Sequence, residues 1–210
     1  RTGTINPGCA TVEWAKSKIN FIETSGQGDF IVDTMTAISA ADCALCVDSA
    51  SDGVQVYTEK TWEEASRLSL PALFFINKMD RERADFAHAL EAVQKTLTDK
   101  AVPIALPIGA ESAFEGVIDL VTQRAHRFSD DGREVTSDAI PASLHAAVAS
   151  AREKLIEAVA ASDDDLMAKF FDAGTLTDSE LAEGLRHAVA ACQIYPVLPG
   201  SATGNRGVQP

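Results

Sequence analysis

The chain has 210 residues, of which 46% are apolar and 23% charged, so it holds enough apolar material for a sizeable core. Its 31 acidic and 18 basic side chains give a formal net charge of −13, which argues against direct, non-specific binding to nucleic acid. No apolar stretch is long enough to span a bilayer, so no membrane role is expected.

The first hundred residues alternate short apolar runs with helical patterns. The predicted elements are strands at 9–14 and 18–23, a helix at about 30–41, a strand at 43–48, a helix at 56–68, a strand at 71–76 and an amphipathic helix at 85–98. This alternation predicts an α/β fold with a mostly parallel sheet and helices on both faces. In such sheets ligands bind at the carboxyl ends of the strands.

The pattern changes at residue 101. The predicted elements there are short strands at 102–108, 116–121 and 125–128, a hairpin turn at 130–132, helices at 141–161, 164–172 and 177–191, and a last strand at 194–198. We therefore expect an α+β subdomain at 101–193, inserted into a domain made of 1–100 and 194–210. Thr177 and Glu180 form the capping-box pattern that begins the last of these helices.

The segment Asn77-Lys78-Met79-Asp80 stands at the end of an apolar run, 70–76, that is typical of a buried strand. In this place the four residues resemble the base-reading motif of GTP-binding proteins, which implies the following roles. A carboxylate at Asp80 can accept from two neighbouring N–H groups on one edge of guanine, a pair that adenine does not offer. The Asn77 amide can tie the loop to neighbouring loops and reach the base, and the stem of Lys78 can cover the ring. Such a site rejects the wrong base by leaving buried partners unpaired. On these four residues alone, an ordinary polar turn remains the alternative.

Three other segments lie next to predicted strands, in the order in which GTP-binding proteins carry their motifs. They are Thr4, Glu23-Thr24-Ser25-Gly26-Gln27 and Ser201-Ala202. With them the chain resembles GTP-binding proteins. The resemblance implies that Glu23 holds Mg²⁺ through water, that the Gly26 N–H donates to the γ-phosphate, and that a backbone N–H of the Ser201-Ala202 pair meets the guanine carbonyl. Thr4 is a candidate Mg²⁺ ligand, with a plain strand residue as an equal alternative.

Within that class the chain resembles the elongation factor G family, the ribosomal translocases, over nearly its whole length. The segments that carry the resemblance are Trp14, 18–30, 41–45, 52–55, 77–81, 84–86, 106–109, 116–120, 200–202, Asn205 and 207–209. The stretches Leu-Pro-Ile-Gly at 106–109 and Gly-Val-Ile-Asp-Leu at 116–120 are particular to the inserted subdomain of that family.

This resemblance implies a P-loop NTPase-type fold, GTP or GDP and Mg²⁺ as ligands, and GTP hydrolysis coupled to translocation on the ribosome. It makes the ribosome the expected partner, with stalk proteins as a candidate contact of the inserted subdomain. We also expect a monomer located in the cytoplasm.

The chain departs from the family at its switch sequence, where Asp-Thr-Pro-Gly-His is replaced by residues 23–27. Glu23 is one methylene longer than Asp, Ser25 frees a backbone that proline stiffens, and Gln27 replaces the family's catalytic histidine. Small signalling GTPases use Gln to orient the attacking water, so Gln27 is the candidate catalytic residue. The switch sequence fits a working but altered switch or a decayed one, and a paralogue of elongation factor G is favoured over the main factor. The alternative to a GTPase is a ribosome-binding module that holds GTP with weak or no hydrolysis. A tetracycline-resistance protein of the ribosome-protection type fits the inserted stretches less well.

A phosphate-binding G-x-x-x-x-G-K-[ST] loop is expected upstream of Thr4, and none occurs in the 210 residues. Since that loop cradles the phosphates, we expect the chain as written to be inactive or weak alone. The four cysteines include Cys43 and Cys46 in C-x-x-C spacing. Their place in an apolar strand favours core packing over a redox or zinc site, and the cysteine pattern suits a reducing cytosol.

Overall fold

The computed structural model describes residues 4–129 and 131–209. Two compact units divide the chain: one contains the residues up to Ala44 together with Gln55–Leu70, and the other contains Leu45–Val54 together with the chain from Pro71 onwards.

Ten strands and six α-helices make up the described regular structure. In chain order they are β1 (Gly8–Trp14), β2 (Ser17–Glu23), α1 (Ile31–Ala40), β3 (Ala44–Ser49), α2 (Val56–Arg67), β4 (Ala72–Asn77), α3 (Phe86–Thr96), β5 (Ala101–Pro103), β6 (Ala105–Ile108), β7 (Gly116–Asp119), β8 (Arg124–Phe128), β9 (Val135–Asp138), α4 (His145–Ala160), α5 (Asp164–Ala173), α6 (Asp178–Ala190) and β10 (Tyr195–Pro199). Short 3₁₀ helices cover Gly28–Phe30, Glu111–Ala113 and Ala142–Leu144.

The first unit contains a β-hairpin and two helices. β1 and β2 pair antiparallel with Thr11 opposite Asn20, and Thr11 Oγ1 donates to Asn20 Oδ1 at 2.9 Å. The two residues of the connecting turn, Ala15 and Lys16, both have positive φ angles, of 46° and 66°. Two positive φ angles are what a two-residue turn needs to follow the right-handed twist of its strands. α1 packs against α2 within the same unit.

A four-stranded sheet in the second unit has the order β3-β4-β10-β5. β10 runs parallel to β4, with Val197 opposite Phe74, and parallel to β5, with Tyr195 opposite Ala101. Phe74, Ile76 and Val197 are fully buried, as the apolar runs of these strands require. The predicted α/β fold class with a parallel sheet is confirmed.

The other sheet of the second unit is antiparallel, in the order β6-β7-β8-β9. Together with α4 and α6 it encloses a core that includes Ile118, Leu155 and Leu181, which are fully buried. The capping box of α6 is present: Thr177 Oγ1 accepts from the Glu180 N–H, and the Glu180 carboxylate accepts from the Thr177 N–H.

The single strand predicted at 102–108 is in fact two strands. They are separated by Ile104, whose N–H donates to Val197 O (3.1 Å) while its carbonyl accepts from Leu120 N (3.0 Å). β5 therefore belongs to the parallel sheet, where Pro103 is tolerated because β5 is an edge strand, and β6 begins the antiparallel sheet. β9 was not predicted, since all four of its residues are exposed and carry no apolar alternation. The division into a domain with an insertion at 101–193 stays a prediction.

Candidate functional site

The loop after β4 is tied to the loop after β10 by the side chain of Asn77. Its Oδ1 atom accepts from the backbone N–H of Lys78 at 2.8 Å and from that of Ala202 at 2.9 Å. Because one amide oxygen serves both segments, the two loops are held at a fixed separation.

Lys78 has a left-handed backbone conformation, with φ of 63°. For a residue with a side chain this conformation costs about 1–2 kcal/mol, so it persists only where neighbouring contacts impose it. Two contacts do so here: the bond from Lys78 N to Asn77 Oδ1 and the bond from Arg81 N to Lys78 O, at 3.0 Å. The result is a sharp turn that leaves Lys78 exposed while the next side chain, Met79, is fully buried.

Met79 anchors this turn through its main chain. Its N–H donates to Gly200 O at 3.1 Å, and its carbonyl accepts from Glu111 N at 2.8 Å. The Glu111 carboxylate also accepts from the Arg83 N–H at 2.7 Å. Met79 and Glu111 were not singled out from the sequence, because no motif marks contacts between segments so far apart in the chain.

Asp80 is half-buried, and one of its carboxylate oxygens, Oδ1, is shielded from solvent with no hydrogen-bond partner among the described residues. A buried acceptor without a donor costs about 1–3 kcal/mol. A ligand that brings an N–H group to Asp80 would remove that cost. The arrangement therefore fits a nucleobase edge that carries hydrogen-bond donors.

The Ser201-Ala202 pair differs from expectation in one respect. Ser201 is fully buried, and its N–H donates to Arg206 O at 2.8 Å, while the Ala202 N–H donates to Asn77 Oδ1. Both N–H groups already have acceptors in the protein. A base carbonyl would therefore have to share or displace one of these acceptors.

Gly200 directly follows β10 and lies beside β4. A Cβ atom there would lie 2.4 Å from Phe75 Cζ and 2.8 Å from Arg206 O. Its N–H donates to Ile76 O at 2.9 Å. The absence of a side chain thus allows the close approach on which the bond from Met79 N to Gly200 O depends.

The other predicted site residues belong to the first unit. Glu23 is the last residue of β2 and is exposed. Gly26 is exposed, and a Cβ atom added to it would meet nothing within 4 Å. Gln27 is exposed and precedes the 3₁₀ helix Gly28–Phe30, whose Phe30 N–H donates to Gln27 O at 3.0 Å. Ser25 between them is buried, and its Oγ accepts from the Gln27 N–H at 3.2 Å.

Thr4 lies in an irregular segment ahead of β1 and is half-buried. Among residues 4–129 and 131–209, no group of three or more His, Cys, Asp or Glu side chains is placed to hold a metal ion. Mg²⁺ is commonly bound by only one or two carboxylates together with substrate phosphates and water. Glu23, as a single carboxylate, fits this mode of Mg²⁺ binding.

The C-x-x-C cysteines are separated in environment. Cys43 is exposed just before β3, whereas Cys46 is partly buried within it, and both are free. Burial, with a smaller contribution from the Asp48 carboxylate, raises the pKa of the Cys46 thiol to about 12. Cys46 is therefore a neutral, weakly reactive thiol at physiological pH. The expected core packing holds for Cys46 in part, and not for Cys43.

Comparison with known proteins identifies a family and a similar solved structure. The family model described as the elongation factor Tu GTP-binding domain matches residues 1–210. The crystal structure of ttk003000868 from Thermus thermophilus is similar over 98% of this chain, with a TM-score of 0.89 and 30% sequence identity. This chain spans 31% of the length of that protein chain. Among the helices of the described residues, none has the length and apolarity needed to cross a membrane.

Proposed function

The chain belongs to the family of elongation factor Tu GTP-binding domains, and from that membership we propose that it is the GTP-binding domain of a translation factor of the elongation factor G type. Its GTP hydrolysis would be coupled to translocation on the ribosome. The proposed ligands are GTP or GDP with Mg²⁺, the proposed partner is the ribosome, and the proposed location is the cytoplasm.

The observation that carries the guanine-binding part of this proposal is the Oδ1 oxygen of Asp80, which has no hydrogen-bond partner among the described residues. It lies in a loop at the carboxyl end of a parallel strand, where ligands of α/β sheets bind. Guanine offers two adjacent N–H donors to such a carboxylate, whereas adenine offers no such pair. The loop is preformed by Asn77 and Met79, so little ordering has to accompany binding.

The residues near Asp80 are assigned their roles in base binding from their positions in the two loops. The exposed Lys78 side chain is assigned to cover the face of the base. Asn77 is assigned to hold the Lys78 and Ala202 loops together around it. The Ser201-Ala202 pair is assigned to the carbonyl edge, with the Ala202 N–H shared between Asn77 Oδ1 and the base.

The segment from Glu23 to Gln27 is assigned to the phosphates. The exposure of Gly26 supports this, because an exposed residue is open to a ligand. Glu23 and Thr4 are assigned to Mg²⁺, which supplies positive charge to the phosphates when bound. The exposed Gln27 side chain is assigned to orient the attacking water.

A second candidate is a ribosome-binding module that holds GTP and hydrolyses it slowly or not at all. It is favoured by the residues at the switch, where Glu23, Ser25 and Gln27 replace the Asp, Pro and His of the elongation factor G pattern. In that case the chain would act through its nucleotide-bound shape rather than through turnover.

Titration of the full-length protein with fluorescent GDP, with ATP as competitor, tests guanine binding. Submicromolar binding that GTP displaces and ATP does not is expected, and equal competition by ATP would refute the assignment of the base site. Single-turnover hydrolysis with and without ribosomes then separates the two candidates. A ribosome-stimulated rate supports the translocase-type GTPase, and an unstimulated rate supports the binding module.

A further inference from the structure

Two hydroxyl groups converge on one carbonyl of the loop that follows β2. The Tyr57 hydroxyl donates to Ser25 O at 2.8 Å. Thr34 Oγ1 lies 2.5 Å from Tyr57 Oη and 3.3 Å from the same carbonyl. Ser25 and Thr34 are only 4% and 5% exposed. The pair of hydroxyls on Tyr57 and Thr34 is called the hydroxyl clamp below.

One arrangement of the protons links both hydroxyls of the clamp to the Ser25 carbonyl in a chain. Since Tyr57 donates its only proton to Ser25 O, it can receive a hydrogen bond from Thr34, which is the shorter of the two contacts of Thr34 Oγ1. A chain of hydrogen bonds polarises each member and strengthens the last bond. The Ser25 carbonyl is therefore held jointly by α1, which carries Thr34, and α2, which carries Tyr57.

Holding this carbonyl also fixes the neighbouring amide. The carbonyl of Ser25 and the N–H of Gly26 belong to one planar trans peptide unit, in which they point in opposite directions. The carbonyl faces the buried clamp, so the Gly26 N–H faces away from it, at a residue that is exposed. Glycine restricts its own backbone least of all residues, so the orientation depends on the clamp and on the bond from Gln27 N to Ser25 Oγ.

We propose that Tyr57 and Thr34 are positioning residues that hold the Gly26 N–H ready for the terminal phosphate of the bound nucleotide, and thereby set the preference for GTP over GDP. The proposal rests on the proposed function, because it takes the γ-phosphate as the acceptor of that N–H. Loss of either hydroxyl frees the peptide unit to rotate and lowers the share of molecules in which the donor is correctly aimed.

The test compares affinities of the full-length protein for GTPγS and GDP. In Tyr57→Phe and Thr34→Val the ratio of GTPγS to GDP affinity should fall by roughly two- to tenfold, the effect of one hydrogen bond. GDP lacks the γ-phosphate, so general damage to the fold would cancel in the ratio. Thr34→Ser keeps the hydroxyl and should restore the wild-type ratio.

Thr36→Val is the matched control. It makes the same chemical change on α1, but the Thr36 hydroxyl donates to Val32 O of its own helix, at 2.9 Å, and is exposed. Its ratio should equal that of the wild type. An unchanged or raised ratio in both Tyr57→Phe and Thr34→Val would overturn the proposal while leaving the proposed function intact.

Amide hydrogen exchange of the nucleotide-free protein distinguishes a failure of the hydroxyl clamp from a failure of the proposed function. The Gln27 N–H, bonded to Ser25 Oγ, should exchange faster in Tyr57→Phe than in the wild type and be unaffected in Thr36→Val. Unchanged exchange in Tyr57→Phe would overturn the clamp. If the wild type binds neither nucleotide, the proposed function fails together with the role of Gly26, whereas faster exchange would still support the clamp itself.

Discussion

The amide oxygen of Asn77 and the backbone N–H of Ala202 are 2.9 Å apart, although 125 positions separate the two residues in the chain. The same oxygen accepts from Lys78 N. One side chain therefore couples the conformation of a strained turn to the position of a distant loop. The proposed base site is built around this contact.

Replacement of Asn77 by Ala should destabilise the protein by about 1–3 kcal/mol. Two backbone N–H groups, those of Lys78 and Ala202, lose their acceptor, and the left-handed conformation of Lys78 loses one of its two constraints. Urea unfolding measures the effect. Asn20→Ala is the control, because its amide makes one exposed hydrogen bond in the β1–β2 hairpin and should cost about 0.5–1 kcal/mol or less. Equal stability of the two variants would contradict the assigned role of Asn77.

Replacement of Asp80 by Asn should lower the preference for GDP over ADP by roughly 5- to 150-fold, equivalent to about 1–3 kcal/mol. The amide places a donor where the carboxylate offers an acceptor to the base. Competition binding with fluorescent GDP provides the measurement. Glu82→Gln removes the same charge from an exposed position in the same loop and should keep the wild-type selectivity. If Asp80→Asn kept it as well, the base assignment would be wrong.

Replacement of Gly26 by Ala should leave the free energy of unfolding nearly unchanged, since the added Cβ meets nothing within 4 Å. It should nevertheless weaken GTPγS binding relative to GDP, because a methyl group stands beside the proposed phosphate donor. Gly116→Ala is the contrasting variant. Its Cβ would lie 2.2 Å from His126 O, so it should cost about 1–3 kcal/mol through overpacking. Marked destabilisation by Gly26→Ala would count against the observed loop.

Acid stability should depend on Glu180. A hydrogen bond from Lys169, followed by those from Thr177, lowers the pKa of Glu180 to about 2. The contribution of its carboxylate is present above the ordinary pKa of about 4.3 and is lost as pH falls from there towards 2, because the unfolded chain binds the proton first.

In Glu180→Gln the decline of stability between about pH 4.3 and pH 2 should be shallower than in the wild type. Thermal unfolding across that range is the measurement. Glu183→Gln on the same helix is the control, since its carboxylate lies 3.8 Å from Arg186 and is 65% exposed, and it should retain the wild-type slope. Parallel profiles for the wild type and Glu180→Gln would show that the Lys169 contact does not persist in solution.

The periodic elements could be predicted from the sequence because each depends on local pattern. α3, with Phe86, Ala89 and Val93 buried on one face, and the capping box of α6 are examples. The split between β5 and β6 could not be predicted, since residues 101–108 form one continuous apolar run. Which half joins which sheet is decided by Val197 and Leu120, the partners of Ile104.

The site divides in the same way. The positions of Glu23, Asn77 and Ser201 at or just after strand ends follow from strand prediction, and the structure places them there. The contacts that shape the loops do not follow, because they join segments without any shared pattern. The Tyr57 hydroxyl donates to Ser25 O, 32 positions earlier in the chain. The Glu111 N–H donates to Met79 O although α3 lies between the two residues in the chain. Their binding roles stay predictions.

The double role of Ile104 bears on how this domain could be shortened. The Ile104 N–H bonds to the parallel sheet and its carbonyl accepts a bond from the end of β7 in the antiparallel sheet. Cutting the chain at Ile104 to remove the antiparallel sheet would therefore break a contact of the parallel sheet. Deletion of the antiparallel sheet would also remove Glu111, whose N–H donates to Met79 O and whose carboxylate accepts from the Arg83 N–H. A shortened variant of this chain would therefore need new contacts to hold the loop after β4.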